Sequence, residues 1–175
     1  MRKPPVEIVS STLAVTTLFY PWHLPVWAIF VAWAGTFAAG GPKPEVLRKI
    51  WPCMLLGNCT ACLIVVLFGL ASQNLSGTAL TVAQCVILFC LNGGMMALGR
   101  FEPLSFIPGM FFGFASFFAT YFGGFGPTPK DPVIALASVA AMNALGPIYA
   151  ILTAKLGAHH HPASHAAPAS APARP

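Results

Sequence analysis

Residues 50–99 read IWPCMLLGNCTACLIVVLFGLASQNLSGTALTVAQCVILFCLNGGMMALG, and none of them is charged. A membrane-spanning helix needs about 20 consecutive apolar residues, so this stretch alone has room for two. The ranges 8–42, 103–129 and 132–154 also contain no Asp, Glu, Lys or Arg. These four residue types make up only 7% of the whole chain, against about 25% in soluble proteins. The sequence therefore predicts a membrane protein rather than a soluble domain.

Turn-forming residues divide the apolar ranges into six predicted helices. Their predicted bounds are 6–20, 25–39, 50–72, 78–98, 104–122 and 132–156. Asp131 before Pro132 is typical of a helix start, because Asp caps free N–H groups and Pro fits the first helical position. We therefore predict an all-α, six-helix membrane domain over residues 1–157. Residues 158–175 are mainly Ala, Pro, Ser and His, which predicts a disordered tail because such a segment has no apolar face to bury.

Basic residues are divided unequally between the two predicted sides of the membrane. One side carries eight of them: Arg2, Lys3, Lys43, Arg48, Lys49, Arg100, Lys155 and Arg174. The other side carries only Lys130. Because cytoplasmic loops are enriched in Lys and Arg, we predict that both termini and the tail are cytoplasmic. These few loop charges do not indicate binding to nucleic acid.

The two halves of the chain share a spacing of proline and glycine. In each half, a glycine pair begins fifteen residues after a proline. The matching positions are Pro25, Gly40 and Gly41 in the first half and Pro108, Gly123 and Gly124 in the second. Each half holds three helices, so the second half enters the membrane from the opposite side. We predict two inverted three-helix repeats, over about 6–72 and 78–156, an arrangement typical of transporters and channels.

Small residues at four-residue intervals accompany the repeat. They are Ala32, Thr36 and Gly40 in the second predicted helix and Ala115, Ala119 and Gly123 in the fifth. Rows of this kind let helix backbones approach closely in lipid. We therefore predict that they are helix-packing faces, and we expect the protein to be a homo-oligomer in the lipid bilayer.

Two asparagines occupy equivalent positions in the predicted repeats. Asn58 lies fourteen residues after Pro44, and Asn143 lies fourteen residues after Pro129. In an inverted repeat they would face each other near the middle of the membrane, where they would line a path for a small neutral solute. The alternative is a structural role, since polar side chains often join helices in membranes. Thr60 and Asn92 are weaker candidates for the same path.

The leading functional prediction is a channel or facilitator for a small, uncharged solute. No carboxylate is expected at mid-membrane depth, which argues against a proton-driven pump. The alternative from another class is a non-transporting scaffold or accessory subunit. A third hypothesis, transition-metal handling, rests on Cys59, Cys62 and the histidines of the tail, which are types of metal ligand. We predict no enzyme activity, no cofactor and no resident metal site, because the sequence offers no nucleophile–base set and no phosphate-binding loop.

Residues 24–41, LPVWAIFVAWAGTFAAGG, resemble a family of small bacterial inner-membrane proteins catalogued as domain of unknown function 1097. The six-helix plan and the length of residues 6–157 are similar to that family as well. The resemblance implies a multi-pass protein of the bacterial inner (plasma) membrane. It implies no particular activity.

Overall fold

A computed structural model describes residues 3–21 and 23–158 and places six α-helices within them. They are α1 (Val6–Thr16), α2 (Trp27–Ala38), α3 (Pro44–Asn74), α4 (Gly77–Leu98), α5 (Ile107–Phe122) and α6 (Pro132–Leu156). Short 3₁₀ turns follow α1 and precede α5. The fold is all-α, as the sequence predicts. The predicted tail, apart from Ala158, lies outside the described residues.

Three of the helices are long and apolar enough to cross a membrane. They are α3 with 31 residues, α4 with 22 and α6 with 25. At about 1.5 Å per residue, each exceeds the roughly 30 Å of a bilayer core. The helices α1, α2 and α5 are apolar but shorter. This composition makes the chain a multi-pass membrane protein in contact with the lipid bilayer.

The start of α3 differs from the prediction. The helix begins at Pro44 instead of residue 50 and continues through Pro52. Charged residues suggested a loop here, but Pro44 occupies the favoured first position and Glu45 lies in the first turn, where an acidic side chain stabilises a helix. Because α3 is longer than the bilayer core is thick, its charged first turns extend beyond the apolar region.

The chain ends and loops gather at two opposite ends of the molecule. At one end, the Ala158 N–H donates to the Pro4 carbonyl at 2.7 Å. At the same end, Lys49 Nζ lies 2.7 Å from Glu102 Oε1 and so joins the start of α3 to the α4–α5 connection. At the other end, the Gly126 N–H bonds to the His23 carbonyl at 2.6 Å.

Two helix pairs form the centre of the bundle, α3 with α5 and α2 with α6. Glycine permits the close approach in both pairs. A Cβ added to Gly113 would lie 1.9 Å from the Met54 carbonyl oxygen, and one added to Gly146 would lie 2.3 Å from Ala32 Cβ. The outer helices complete the bundle, with α4 against α3 and α1 against α6. Only Met95 is buried in α4, so this helix is peripheral.

The predicted row of small residues packs within the chain in α2. In α5, a different row of small residues does so. In α2, Ala32 and Thr36 are buried, whereas Gly40 is exposed just beyond the helix end. In α5, the predicted residues Ala115, Ala119 and Gly123 are exposed. The buried small residues of α5 are instead Gly109, Gly113, Ser116 and Thr120. The prediction for α5 is therefore wrong for contacts within the chain.

The correspondence between α2 and α5 is displaced by one residue from the glycine-pair alignment. The Thr36 hydroxyl donates to the Ala32 carbonyl at 2.8 Å, and the Thr120 hydroxyl donates to the Ser116 carbonyl at 2.7 Å. Both threonines are buried. Their backbone carbonyls also accept hydrogen bonds from N–H groups in the turn that ends each helix, Gly41 for Thr36 and Phe125 for Thr120. Matching Thr36 with Thr120 moves the correspondence one position along α5, and this shift explains the misassigned face.

Candidate functional site

The two predicted asparagines meet at the contact between α3 and α6. Asn143 Nδ2 donates to Asn58 Oδ1 at 3.4 Å, and each side chain is only 1% exposed. Asn58 lies near the middle of α3, and Asn143 lies near the middle of α6. The amide pair, as we call Asn58 and Asn143, is therefore a polar contact at mid-depth in an apolar bundle. Its role in a solute path stays a prediction.

The amide pair leaves hydrogen-bonding capacity unused. Asn58 Nδ2 and Asn143 Oδ1 are buried and have no partner among the described residues. Exchanging the oxygen and nitrogen of both amides would again leave one donor and one acceptor. The result is therefore the same for both orientations of the pair that keep the hydrogen bond. A buried polar atom without a partner costs about 1–3 kcal/mol, so the unpaired donor and acceptor are each unfavourable in this structure.

A proline next to the pair adds a further acceptor. Pro147 lies inside α6, four residues after Asn143. Proline has no N–H, so the backbone carbonyl of Asn143 lacks its usual helical donor. The corresponding position in α3, four residues after Asn58, is Cys62, which keeps its N–H. The α6 side of the pair is therefore richer in acceptors than the α3 side.

A cavity of about 380 Å³ adjoins the amide pair between α3 and α6. Small-molecule sites typically have volumes of about 300–1,000 Å³. Its lining consists of Trp51, Pro52, Met54, Leu55, Asn58, Ala140, Asn143 and Ala144. None of these lining residues is ionisable, so the amide pair supplies the polar side-chain oxygens and most of the hydrogen-bonding groups in an apolar chamber.

The cavity is confined to the middle part of α3 and is partly open to its surroundings. Its α3 lining covers residues 51–58, which corresponds to about 10 Å of helix and reaches neither end of α3. Trp51 and Leu55 are 36% and 51% exposed, so this wall faces outward from the bundle. Trp51 Nε1 donates to the Ala144 carbonyl at 3.1 Å and joins the two helices beside the opening.

The weaker path candidates lie outside this cavity lining. The Thr60 hydroxyl donates to the Leu56 carbonyl of its own helix at 2.9 Å. Asn92 lies on the peripheral helix α4, where Nδ2 approaches the Met96 sulfur at 4.0 Å. Sequence reasoning missed Trp51 as part of the lining, and it missed Pro147, which lies outside the lining but removes the helical donor of the Asn143 carbonyl. The position of Pro147 four residues after Asn143 could have indicated the freed carbonyl.

The cysteines do not assemble a ligand cluster in the described part of the chain. Cys59 is exposed, whereas Cys62 is buried and directs its thiol to the Pro132 carbonyl at 3.5 Å. Within residues 3–21 and 23–158, no group of three or more His, Cys, Asp and Glu residues is placed to hold a metal ion. The histidines of the metal hypothesis lie outside the described residues.

The helical membrane fold and the sequence together define the class of protein to which this chain belongs. Residues 6–158 match the family described as "Protein of unknown function (DUF1097)". Because the match covers most of the chain, the protein belongs to this family. No curated protein and no solved structure matches the chain.

Proposed function

We propose that this protein is a facilitator for a small, uncharged solute, with the amide pair as its binding element. The observation that carries the proposal is the pair's unused donor and acceptor beside a cavity of about 380 Å³. Asn58 and Asn143 are the only lining residues with amide side chains, and the rest of the lining bears no charge. An apolar chamber of this kind penalises ions and favours neutral solutes that can form hydrogen bonds.

The proposal includes two inverted three-helix repeats, one comprising α1–α3 and the other α4–α6. In such a repeat, the contact between α3 and α5 corresponds to the one between α6 and α2. The contact between α3 and α4 likewise corresponds to the one between α6 and α1. All four contacts are present. The same exchange maps Asn58 onto Asn143, so the axis would pass between them. Transporters built from inverted repeats commonly bind substrate near the membrane midplane.

The proposed orientation places both chain ends in the cytoplasm of a bacterium, with the protein in its inner membrane. The contact between Pro4 and Ala158 and the Lys49–Glu102 ion pair lie at one end of the bundle. That end also carries most of the basic residues, which favour the cytoplasmic side.

The cavity lining stops short of both ends of α3, and this favours a facilitator that changes conformation over a permanently open channel. Solute would reach the amide pair when one repeat rocks against the other and opens the cavity to one side. If the cavity widened at Trp51 and Leu55, lipid would reach the amide pair, and contact between polar groups and lipid is costly. A second copy of the chain covering this opening would remove that cost, and we therefore include a homo-oligomer in the proposal.

Solute uptake into proteoliposomes tests this function. Stopped-flow light scattering would follow urea, short amides, polyols and ammonia. We expect at least one to enter faster than into empty liposomes. Ala140→Leu fills the cavity and should abolish this difference. Ala137→Leu, on the exposed side of α6 one turn earlier, is the matched control and should preserve it. Equal rates with and without protein for every solute would contradict the proposal.

The second candidate is a non-transporting scaffold or accessory subunit. The direct contact between the two amides and the absence of helix ends from the cavity lining favour it. In that case Ala140→Leu would leave every uptake rate unchanged. Replacing both asparagines with Leu would then lower only the thermal stability or the subunit association, because the polar contact that holds the helices together would be lost. Uptake rates would not change.

A further inference from the structure

We propose that the amide pair selects solutes that carry a primary amide group, with urea and acetamide as the simplest examples. This inference rests on the proposed function and assigns it a substrate class. The carbonyl of such a solute would accept from Asn58 Nδ2, while its N–H would donate to Asn143 Oδ1. These are the two buried side-chain atoms that the amide pair leaves without a partner.

The geometry of the pair is that of an incomplete amide ring. Two amides facing each other in a plane can form two parallel hydrogen bonds, each using one N–H and one carbonyl. Asn58 and Asn143 form only one, at 3.4 Å, beyond the usual 2.7–3.2 Å for such bonds. A third amide group between the free donor and the free acceptor would complete the ring that the two asparagines leave open.

Pro147 biases the site towards solutes with more than one N–H. The carbonyl of Asn143 lacks its helical donor because residue 147 is proline. An NH₂ group has two protons, and we expect one to donate to Asn143 Oδ1 and the other to the Asn143 carbonyl when the cavity opens. Ketones, esters and tertiary amides have a carbonyl but no N–H, and binding them would leave both acceptors unpaired.

The apolar lining sets the other limit on the solute. Met54, Leu55 and Ala140 surround the amides without adding hydrogen-bonding side chains. A polyol would bury several hydroxyls against these residues, where they would lack partners and be penalised. A primary amide concentrates its polar atoms in one planar group and turns its remaining surface towards the apolar wall. We therefore expect urea to be preferred over glycerol.

Competition against urea uptake measures this selectivity. Proteoliposomes would be equilibrated on both sides with acetamide, N-methylacetamide or N,N-dimethylacetamide at equal concentration. Urea influx would then be followed by light scattering. We expect acetamide to slow the protein-dependent influx at a concentration about tenfold or more below that needed for N,N-dimethylacetamide, since the latter cannot donate to a buried acceptor. N-Methylacetamide should fall between them.

Pro147→Ala provides a variant that retains the helix. Alanine restores the N–H that donates to the Asn143 carbonyl, so acetamide should lose much of its advantage over N-methylacetamide while urea still enters. If the three competitors act equally, or if glycerol enters and urea does not, the inference is overturned and the proposed function stands. If no solute in the panel enters faster than through empty liposomes, the proposed function itself is overturned, and this inference with it.

Discussion

Gly113 lies where the backbones of α3 and α5 are in close contact. A Cβ at this position would lie 1.9 Å from the Met54 carbonyl oxygen, and one at Gly57 would lie 1.9 Å from the Met110 carbonyl oxygen. The two glycines thus accommodate each other's helices from opposite sides of the α3–α5 contact. Backbone atoms cannot rotate away as side chains can, so relief would require the helices to separate.

We therefore expect Gly113→Ala to destabilise the protein by about 1–3 kcal/mol or more, the range seen when packed cores are overfilled. Gly93→Ala in α4 is the control, because nothing lies within 4 Å of its added Cβ and alanine favours helix. Thermal unfolding in detergent would compare them. Equal melting temperatures for the two variants would show that the contact between α3 and α5 leaves room for a Cβ at position 113.

The Lys49–Glu102 ion pair should contribute little to stability despite its 2.7 Å distance. The Glu102 side chain is 83% exposed, and exposed pairs are typically worth about 0–1 kcal/mol. A double-mutant cycle with Lys49→Met and Glu102→Gln would measure the coupling. We expect a value of less than about 1 kcal/mol, and a parallel cycle with Arg100→Met should give none. Stronger coupling of Glu102 to Arg100 would contradict the observed pairing.

Residue spacing predicted the contact between the asparagines but not its surroundings. Asn58 and Asn143 follow matched prolines at equal distances, and this pattern is visible in the sequence. The Trp51 bond to the Ala144 carbonyl depends on how a long side chain crosses between helices, which no spacing encodes.

At the scale of elements, proline and acidic residues mark where two of the three long helices, α3 and α6, begin. Asp131 Oδ1 accepts from the N–H groups of Val133 and Ile134 at 2.9 and 3.0 Å, as the sequence predicts for this cap. The start of α3 carries the same kind of signal in Pro44 and Glu45. It was misassigned because charge was taken to mark the end of a membrane helix, whereas a helix longer than the bilayer core can carry charge on its protruding turns.

Removing the Asp131 cap should destabilise α6 without altering the fold. We expect Asp131→Ala to lower stability by about 1 kcal/mol, because two N–H groups lose their acceptor. Asp131→Ser retains a capping oxygen and should recover most of the loss. Thermal unfolding of the three proteins in the same detergent measures this. A melting temperature for Asp131→Ala equal to that of the parent protein would contradict it.

The displaced face of α5 illustrates a limit on reading helices from sequence. In α5, small residues occur on both sides, since Ala115 and Ala119 are exposed while Ser116 and Thr120 are buried. A four-residue interval alone therefore fits two faces that differ by one position. Only the packing against α3, at Gly113, distinguishes them.

At the scale of the whole molecule, the proposed orientation makes a prediction about accessibility. Ser105 and Thr128 are exposed residues in connections at opposite ends of the bundle. In a variant without its native cysteines, we expect Thr128→Cys to react with a membrane-impermeant maleimide applied outside the cell. Ser105→Cys should react only after the membrane is opened, because basic loops stay inside. The reverse labelling pattern would overturn the orientation, and labelling of both from outside would contradict the bundle.

The hydrogen bond between Ala158 and Pro4 makes the two extremities of the described chain neighbours, which requires α1 to pack against α6. Complementary fragments of a fluorescent protein, fused ahead of Pro4 and behind Ala158, would therefore be brought together within a single folded copy. We expect their fluorescence in living cells to rise in proportion to correctly assembled protein and to fall for Gly113→Ala. Undiminished signal from that variant, at equal expression, would mean that the ends meet before the central helices pack. The feature thus turns the protein into a reporter of its own assembly.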